Sequence, residues 1–301
     1  MNNKRRLFST VLCVAALTAG LFVSGCGSDK AGGIGSVVSS VVDGGDEKAA
    51  AKLNTLIDAT NRFNSDNVSF AQFQAEGLAK LKGGFAEGAI TNQPHFDRLQ
   101  ADLEKAKKEG STFKEVDAER DNVLNILNEL VPVYKDLTAY DDSKAYMNDG
   151  GAKGKELAAK YVAAVEKFDA AYAKFNEVLN KVNAEQSKKQ IEKLKKDGKK
   201  GYAAAMESTL RLTTLVDNLE KAPQKADKAA VEKELSEIEA LLKSINNDRG
   251  QVLADRYNSV VGDVRQVLAD PSDNNLNNMI EGFNGYIDTY NSTTPDQFDA
   301  K

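Results

Sequence analysis

Tryptophan is absent from the 301 residues, histidine occurs once, proline five times and cysteine twice. Each scarcity excludes something. A ferritin-like di-metal site takes two Glu-x-x-His pairs on facing helices, whereas His95 stands alone and the residue three before it is Asn92. Zincin, haem-attachment and Cys/His zinc patterns need ligands the chain does not hold. A Ser-His-acid triad would have to recruit His95, and no Gly-x-Ser-x-Gly elbow accompanies it. His95 directly follows Pro94 at the start of a helical pattern, so a surface or capping place is expected for it. No catalytic residue, metal site or cofactor is assigned.

The two cysteines are informative through their positions. The chain opens MNNKRRLFSTVLCVAALTAGLFVSGC, with a positive stretch at Lys4, Arg5 and Arg6 and an apolar run from Leu7 to Val23. This is the pattern of a secretory signal. The run is short for ~30 Å of hydrocarbon, which takes roughly 20 residues. Val23-Ser24-Gly25-Cys26 resembles a bacterial lipobox. There, small residues let the backbone enter a peptidase cleft, the thiol carries a diacylglycerol as a thioether, and the freed amine can take a further chain. One acyl chain holds marginally and two hold stably, at ~0.8 kcal/mol per buried methylene. Cys13 leaves with the leader and Cys26 is acylated, so no disulfide forms within a mature chain. Gly27 follows the acylated residue. In a Gram-negative host an Asp there retains a lipoprotein at the inner membrane, so Gly27 points to the outer membrane, facing the periplasm. In any other host the extracytoplasmic face of the cell membrane is expected.

Basic residues are also in deficit: 45 acids face 40 bases, and three of those bases leave with the leader, for a net of −8. Nucleic acid is therefore excluded as a partner of the body. The expected partners are the lipid bilayer, through acylated Cys26, and a protein of the cell envelope. Residues 1–25 read as the signal, 26–46 as a Gly/Ser-rich tether, 47–291 as a helical-bundle domain and 292–301 as a tail. Ile34, Val38 and Val41 are spaced like a short helix face, but Gly brackets them on both sides, so a linker is expected there.

Strand-period stretches are missing, and Ala, Lys, Glu, Leu and Asn dominate, which is the composition of an all-α protein. Apolar residues recur at helical spacing from Asp46 onward. Leu53, Leu56, Ile57 and Phe63 mark a first helix, and Phe70, Phe73, Leu78 and Leu81 a second, stopped by Gly83-Gly84. Phe96, Leu99 and Leu103 mark a third. Val116, Val123, Ile126, Leu127, Leu130, Tyr134 and Leu137 mark a long fourth, in which Pro132 is expected to make a kink. The clearest seam is Leu157, Tyr161, Val165, Phe168, Tyr172, Phe175, Leu179 and Val182, in steps of 4, 4, 3, 4, 3, 4 and 3. It spans roughly 40 Å at about 1.5 Å per residue. Two more seams run through Val231, Leu235, Ile238, Leu242 and Ile245, and through Leu276, Ile280, Phe283, Ile287 and Tyr290. Asp227 and Asp270 are expected N-caps, with Pro271 at the first helical position after the second. The predicted architecture is an elongated bundle of long antiparallel helices.

Three stretches could carry function. Tyr161, Phe168, Tyr172 and Phe175 would line a groove for a small or lipidic ligand between helices, or form core; core is the expectation. DGGAKGKE, residues 149 to 156, falls short of a Walker loop, with Asp149 in place of Gly and Glu156 in place of Ser or Thr. It reads as a helix-start turn. SKKQIEKLKKDGKK, residues 187 to 200, carries Lys188, Lys189, Lys193, Lys195, Lys196, Lys199 and Lys200 against Glu192 and Asp197. Such a face could meet anionic lipid headgroups or another acidic partner. A solvated helix face balancing acidic neighbours is the plainer expectation.

AYDDSKAYMNDGGAKGKEL, the following FDAAYAKFNEVLNKVN, then DGKKGYAAAMES and the terminal MIEGFNGYIDTYNS resemble the YiiG-like lipoproteins, in order, over residues 50 to 291. That resemblance implies an exported helical lipoprotein without an assigned activity, and it transfers only Cys26, as the acyl site. Extra cysteines that a member of that family carries in its mature body have no counterpart here, where the first-helix region reads IDATNRFNSD.

Overall fold

The computed structural model describes residues 46–65, 73, 77–85, 94–110 and 113–300, with side chains from Lys52 onward, Ser65 apart. The expected leader, Cys26, the tether with Ile34, Val38 and Val41, and Phe70 all lie outside the described residues. Among the described residues there are eleven α-helices and no strand, so the chain is all-α. They gather into two units, residues 52–182 and 183–301.

In the first unit α1 (Asp46–Ser65), α2 (Leu78–Lys82), α3 (Phe96–Lys108), α4 (Lys114–Asp142) and the single turn α5 (Tyr146–Asp149) are joined by the greater part of α6 (Ala152–Lys196). Most apolar residues that mark these helices in the sequence are buried: Leu53, Leu56, Ile57 and Phe63 on α1, Phe96, Leu99 and Leu103 on α3, and Val116, Val123, Leu127, Leu130 and Leu137 on α4, whereas Ile126 and Tyr134 on α4 are half-buried. Ion pairs staple the rims, with Arg62 Nη1 on α1 at 3.0 Å from Asp102 on α3 and Lys107 on α3 at 3.2 Å from Asp121 on α4. α4 continues through Pro132 as one helix. Pro132 and Asn128 are both exposed, so water can meet the carbonyl that the proline leaves without a donor.

Two helix ends show how the chain turns. α4 closes with Ala145 N–H on the Tyr140 carbonyl at 3.2 Å and Lys144 N–H on that of Asp141 at 2.9 Å, with Lys144 left-handed at φ 52. α6 closes in the same manner, Lys199 N–H on Leu194 at 2.9 Å and Gly198 N–H on Lys195 at 3.3 Å, with Gly198 at φ 79. Both are Schellman ends, and glycine at the second avoids the Cβ penalty. The break at Gly198 separates α6 from α7 (Lys200–Lys221), while Gly201 lies within α7.

The second unit takes the end of α6, then α7, a 3-10 turn (Pro223–Lys225), α8 (Lys228–Lys243), α9 (Asp248–Ala269), α10 (Asp273–Asn291) and α11 (Pro295–Phe298). α7 packs on α8, α8 on α9, α9 on α10 and α10 on α7, which closes a four-helix bundle. Its connections are short, so successive helices are antiparallel neighbours. Asp227 caps α8 as expected, its Oδ1 accepting from Ala229 N–H at 2.9 Å and from Ala230 N–H at 3.3 Å. The expected cap at Asp270 is corrected: α10 starts two residues later, and its N-cap is Ser272, whose hydroxyl accepts from Asn275 N–H. Asp270 instead closes α9, extended at φ −144, ψ 101, and its carbonyl and Oδ2 accept from the Asn275 side-chain amide at 2.8 and 3.4 Å rather than from backbone N–H groups of α10.

Candidate functional site

The aromatic stripe of α6 is core. Tyr161, Phe168, Tyr172 and Phe175 are all buried. The Phe168 ring stacks on Tyr172 at 5.1 Å and meets Phe96 and Phe63 edge-on at 5.1 and 5.8 Å. Phe73 lies 6.2 Å from Tyr161, and the Tyr172 hydroxyl donates to Asn64 Oδ1 at 3.1 Å. Burial lifts the Tyr161 hydroxyl well above its ordinary pKa, with Tyr134 adding to the rise. Rings at these separations and tilts attract one another beyond the area they bury.

The glycine-rich stretch is a helix start that supplies its own anion. Gly150 at φ 62 and Gly151 at φ 82 turn the chain into α6. Asp149 then points back: its Oδ1 accepts from Gly151 N–H at 2.9 Å and from the Tyr140 hydroxyl at 2.5 Å, and its Oδ2 accepts from Lys153 N–H at 3.2 Å. The Tyr140 hydrogen bond leads in holding this carboxyl below the usual carboxylate range. Burial and the same bond push the Tyr140 hydroxyl up. A free helix start draws a phosphate because its N–H groups are unpaired and its dipole is positive; here an internal carboxylate satisfies both. At Gly154 a Cβ would collide with the rings of Tyr140 and Phe85, so only glycine lets them pack on this turn. The role of Asp149 was hidden in the sequence, because it depends on a tyrosine nine residues away.

His95 is exposed at the start of α3. Its carbonyl accepts from Arg98 N–H and Leu99 N–H, both at 3.1 Å, while its side chain caps nothing. Among the described residues no group of three His, Cys, Asp or Glu side chains is placed to hold a metal ion.

Nothing in the sequence marks the displaced carboxyl at Asp58. On α1 it is partly buried, and burial raises its pKa from 3.8 to about 6 against the pull of Arg62. A folded pKa above the unfolded one means that the protonated form is favoured on folding. The stability this contributes is complete below the unfolded value and is lost as pH rises through about 6. In full such a shift corresponds to about 3 kcal/mol; solvent screens a group this open, so about 1 kcal/mol is expected. Asp58→Asn should therefore stabilise the protein against urea by about 1 kcal/mol near pH 7 and change little below pH 3.8. Equal effects at both pH values would contradict the burial.

The lysine stretch divides. Lys195 Nζ on α6 lies 2.8 Å from Glu207 on α7 and 3.5 Å from Glu192, and Lys199 lies 3.5 Å from Asp296. The Glu207 bond leads in raising the Lys195 pKa. Among the described residues, Lys188, Lys189, Lys193, Lys196 and Lys200 have no ion pair or side-chain hydrogen bond. Of these, Lys193 is half-buried and the others are exposed.

No curated protein and no solved structure matches the chain. The model of one family, described as Protein of unknown function (DUF3829), matches residues 47–252, from the first turn of α1 into the start of α9. Since that match spans most of the residues, the chain belongs to this family.

Proposed function

We propose that the protein is a bacterial lipoprotein of the YiiG-like kind, anchored through acyl chains on Cys26, that works by contact with an envelope partner rather than by catalysis. One observation carries the reading: a positive start, an apolar run and Val23-Ser24-Gly25-Cys26 stand in the order a lipoprotein leader requires. Two or more acyl chains give the stable attachment a single chain cannot. Gly27 directs the protein to the outer membrane in a Gram-negative host. The alternative, a binding module for a small or lipidic ligand between helices, is less favoured, because the rings that would line its groove pack on one another.

Cys26→Ala tests the anchor. Labelled palmitate fed to cells should appear on the parent protein and not on the variant, whose helical circular dichroism should match the parent. Label persisting on the variant would place the acyl group elsewhere and refute the assignment.

A further inference from the structure

We propose that the unpaired lysines at the end of α6 and the start of α7 form a face that docks on anionic phospholipid headgroups. At about 100° per residue, Lys188, Lys189, Lys193 and Lys196 fall within an arc of roughly 140° on α6. Ser187, Ile191 and Leu194 are buried on its opposite side. Lys200 follows directly after the break at Gly198. Among the described residues at this end of α6, two acidic side chains fall on that arc: Glu192, engaged by Lys195 at 3.5 Å, and Glu185, one turn before Lys188.

The helix end does not account for this charge. Lys193, Lys195 and Lys196 lie in the last turn, where cations complement the partial negative charge of the carbonyls. That effect fades within one turn, and Lys188 and Lys189 stand earlier. The segment from 187 to 200 carries seven lysines against two acids in a chain that is acidic overall, so its positive charge is local. The chemistry points to lipid. Arginine, which grips single carboxylates with two hydrogen bonds, is absent from the segment; lysines act as point charges suited to a diffuse layer of phosphate. This inference rests on the anchored reading, which keeps a bilayer within reach of the body. Each basic residue near an anionic surface is worth roughly fivefold in binding.

The test reconstitutes the full acylated protein into vesicles of phosphatidylcholine alone and of phosphatidylcholine mixed with phosphatidylglycerol. A membrane-impermeant acetylating reagent is then read lysine by lysine by peptide mass. On the anionic vesicles, labelling of Lys188, Lys189, Lys193, Lys196 and Lys200 should fall by roughly fivefold or more, and high salt should restore it. Lys228, exposed elsewhere in the same unit, should label equally on both. In the combined variant Lys188→Gln, Lys189→Gln, Lys193→Gln and Lys196→Gln, Lys200 should lose its protection. Equal labelling on the two vesicle types, or protection shared by Lys228, would overturn the proposal; the former is the outcome expected if the face serves an acidic protein. Failure of the anchor would show separately, as protein that does not float with the neutral vesicles. The same labelling on added anionic vesicles would still read the lysine face.

Discussion

Phe168→Asp is expected to destabilise the first unit by at least about 4 kcal/mol, enough to unfold much of it at ambient temperature. Removing a buried phenylalanine side chain alone costs about 3–5 kcal/mol, and a carboxylate left in its place finds no partner among the rings. Phe168 has no exposed surface, and the rings of Phe63, Phe96 and Tyr172 lie within 6 Å of it. Domains are stable by only about 5–15 kcal/mol, so the variant should melt far below the parent. Amide exchange should rise first in α1, α3 and α4. An unchanged melting temperature would show that the α6 stripe is exposed and would reopen it as a binding face. Phe168→Leu separates the two causes, since it keeps the site apolar and should lose only part of the effect.

The second large effect belongs to the other end of the chain. Phe298→Ala should cost about 3 kcal/mol and release residues 295–300 from the second unit. Phe298 is buried between Tyr202 and Tyr290, each 6.0 Å away in stacked geometry. The backbone around it is held as firmly. Asn247 Nδ2 donates to the carbonyls of Gln297, Phe298 and Ala300 at 3.2, 2.9 and 3.0 Å, while its Oδ1 caps α9 through Gly250 N–H at 2.9 Å. Asp299 accepts from Gly201 N–H at 2.7 Å and from Tyr202 N–H at 3.4 Å, so its carboxylate sits on the start of α7. Gly201→Ala should weaken the same contact without touching Phe298, because a Cβ there would overlap the Phe298 carbonyl. Carboxypeptidase digestion and the melting temperature read both variants. Resistance equal to that of the parent would mean that the terminal segment is not held by these contacts.

These two sites divide what was legible in the sequence from what was not. The α6 stripe could be read because bulky apolar residues repeat at a heptad step, and that step dictates a buried face wherever the helix packs. α9 carries the same signal, with Leu253, Tyr257, Val260, Val264 and Val267 at steps of 4, 3, 4 and 3, all buried. α7 offers less contrast, because Ala203, Ala204, Ala205, Ser208 and Thr209 are among its buried residues. Ser208 and Thr209 turn their hydroxyls to the Ala205 carbonyl, both at 2.8 Å, and each lies 3.1 Å from the Tyr286 hydroxyl. Small and hydroxylated residues become core only when a partner completes their hydrogen bonds, and periodicity does not show the partner. The same holds for the terminal segment: residues 292–301 look like a tail because their local bonds make only the single turn of α11, and Asn247 and Gly201, which tie that turn to the second unit, lie far away in sequence. Gly201 marks a close backbone approach, whereas Gly198 marks a left-handed helix end, and composition cannot tell one from the other.

The anchor underlies the functional account and is tested most directly by the intact mass of protein extracted from membranes in detergent. The account predicts a chain that begins at Cys26 and is heavier than its amino acids by a diacylglycerol, with or without a further acyl chain. A mass that retains the leader, or one that shows Cys26 with an unmodified thiol, would contradict it.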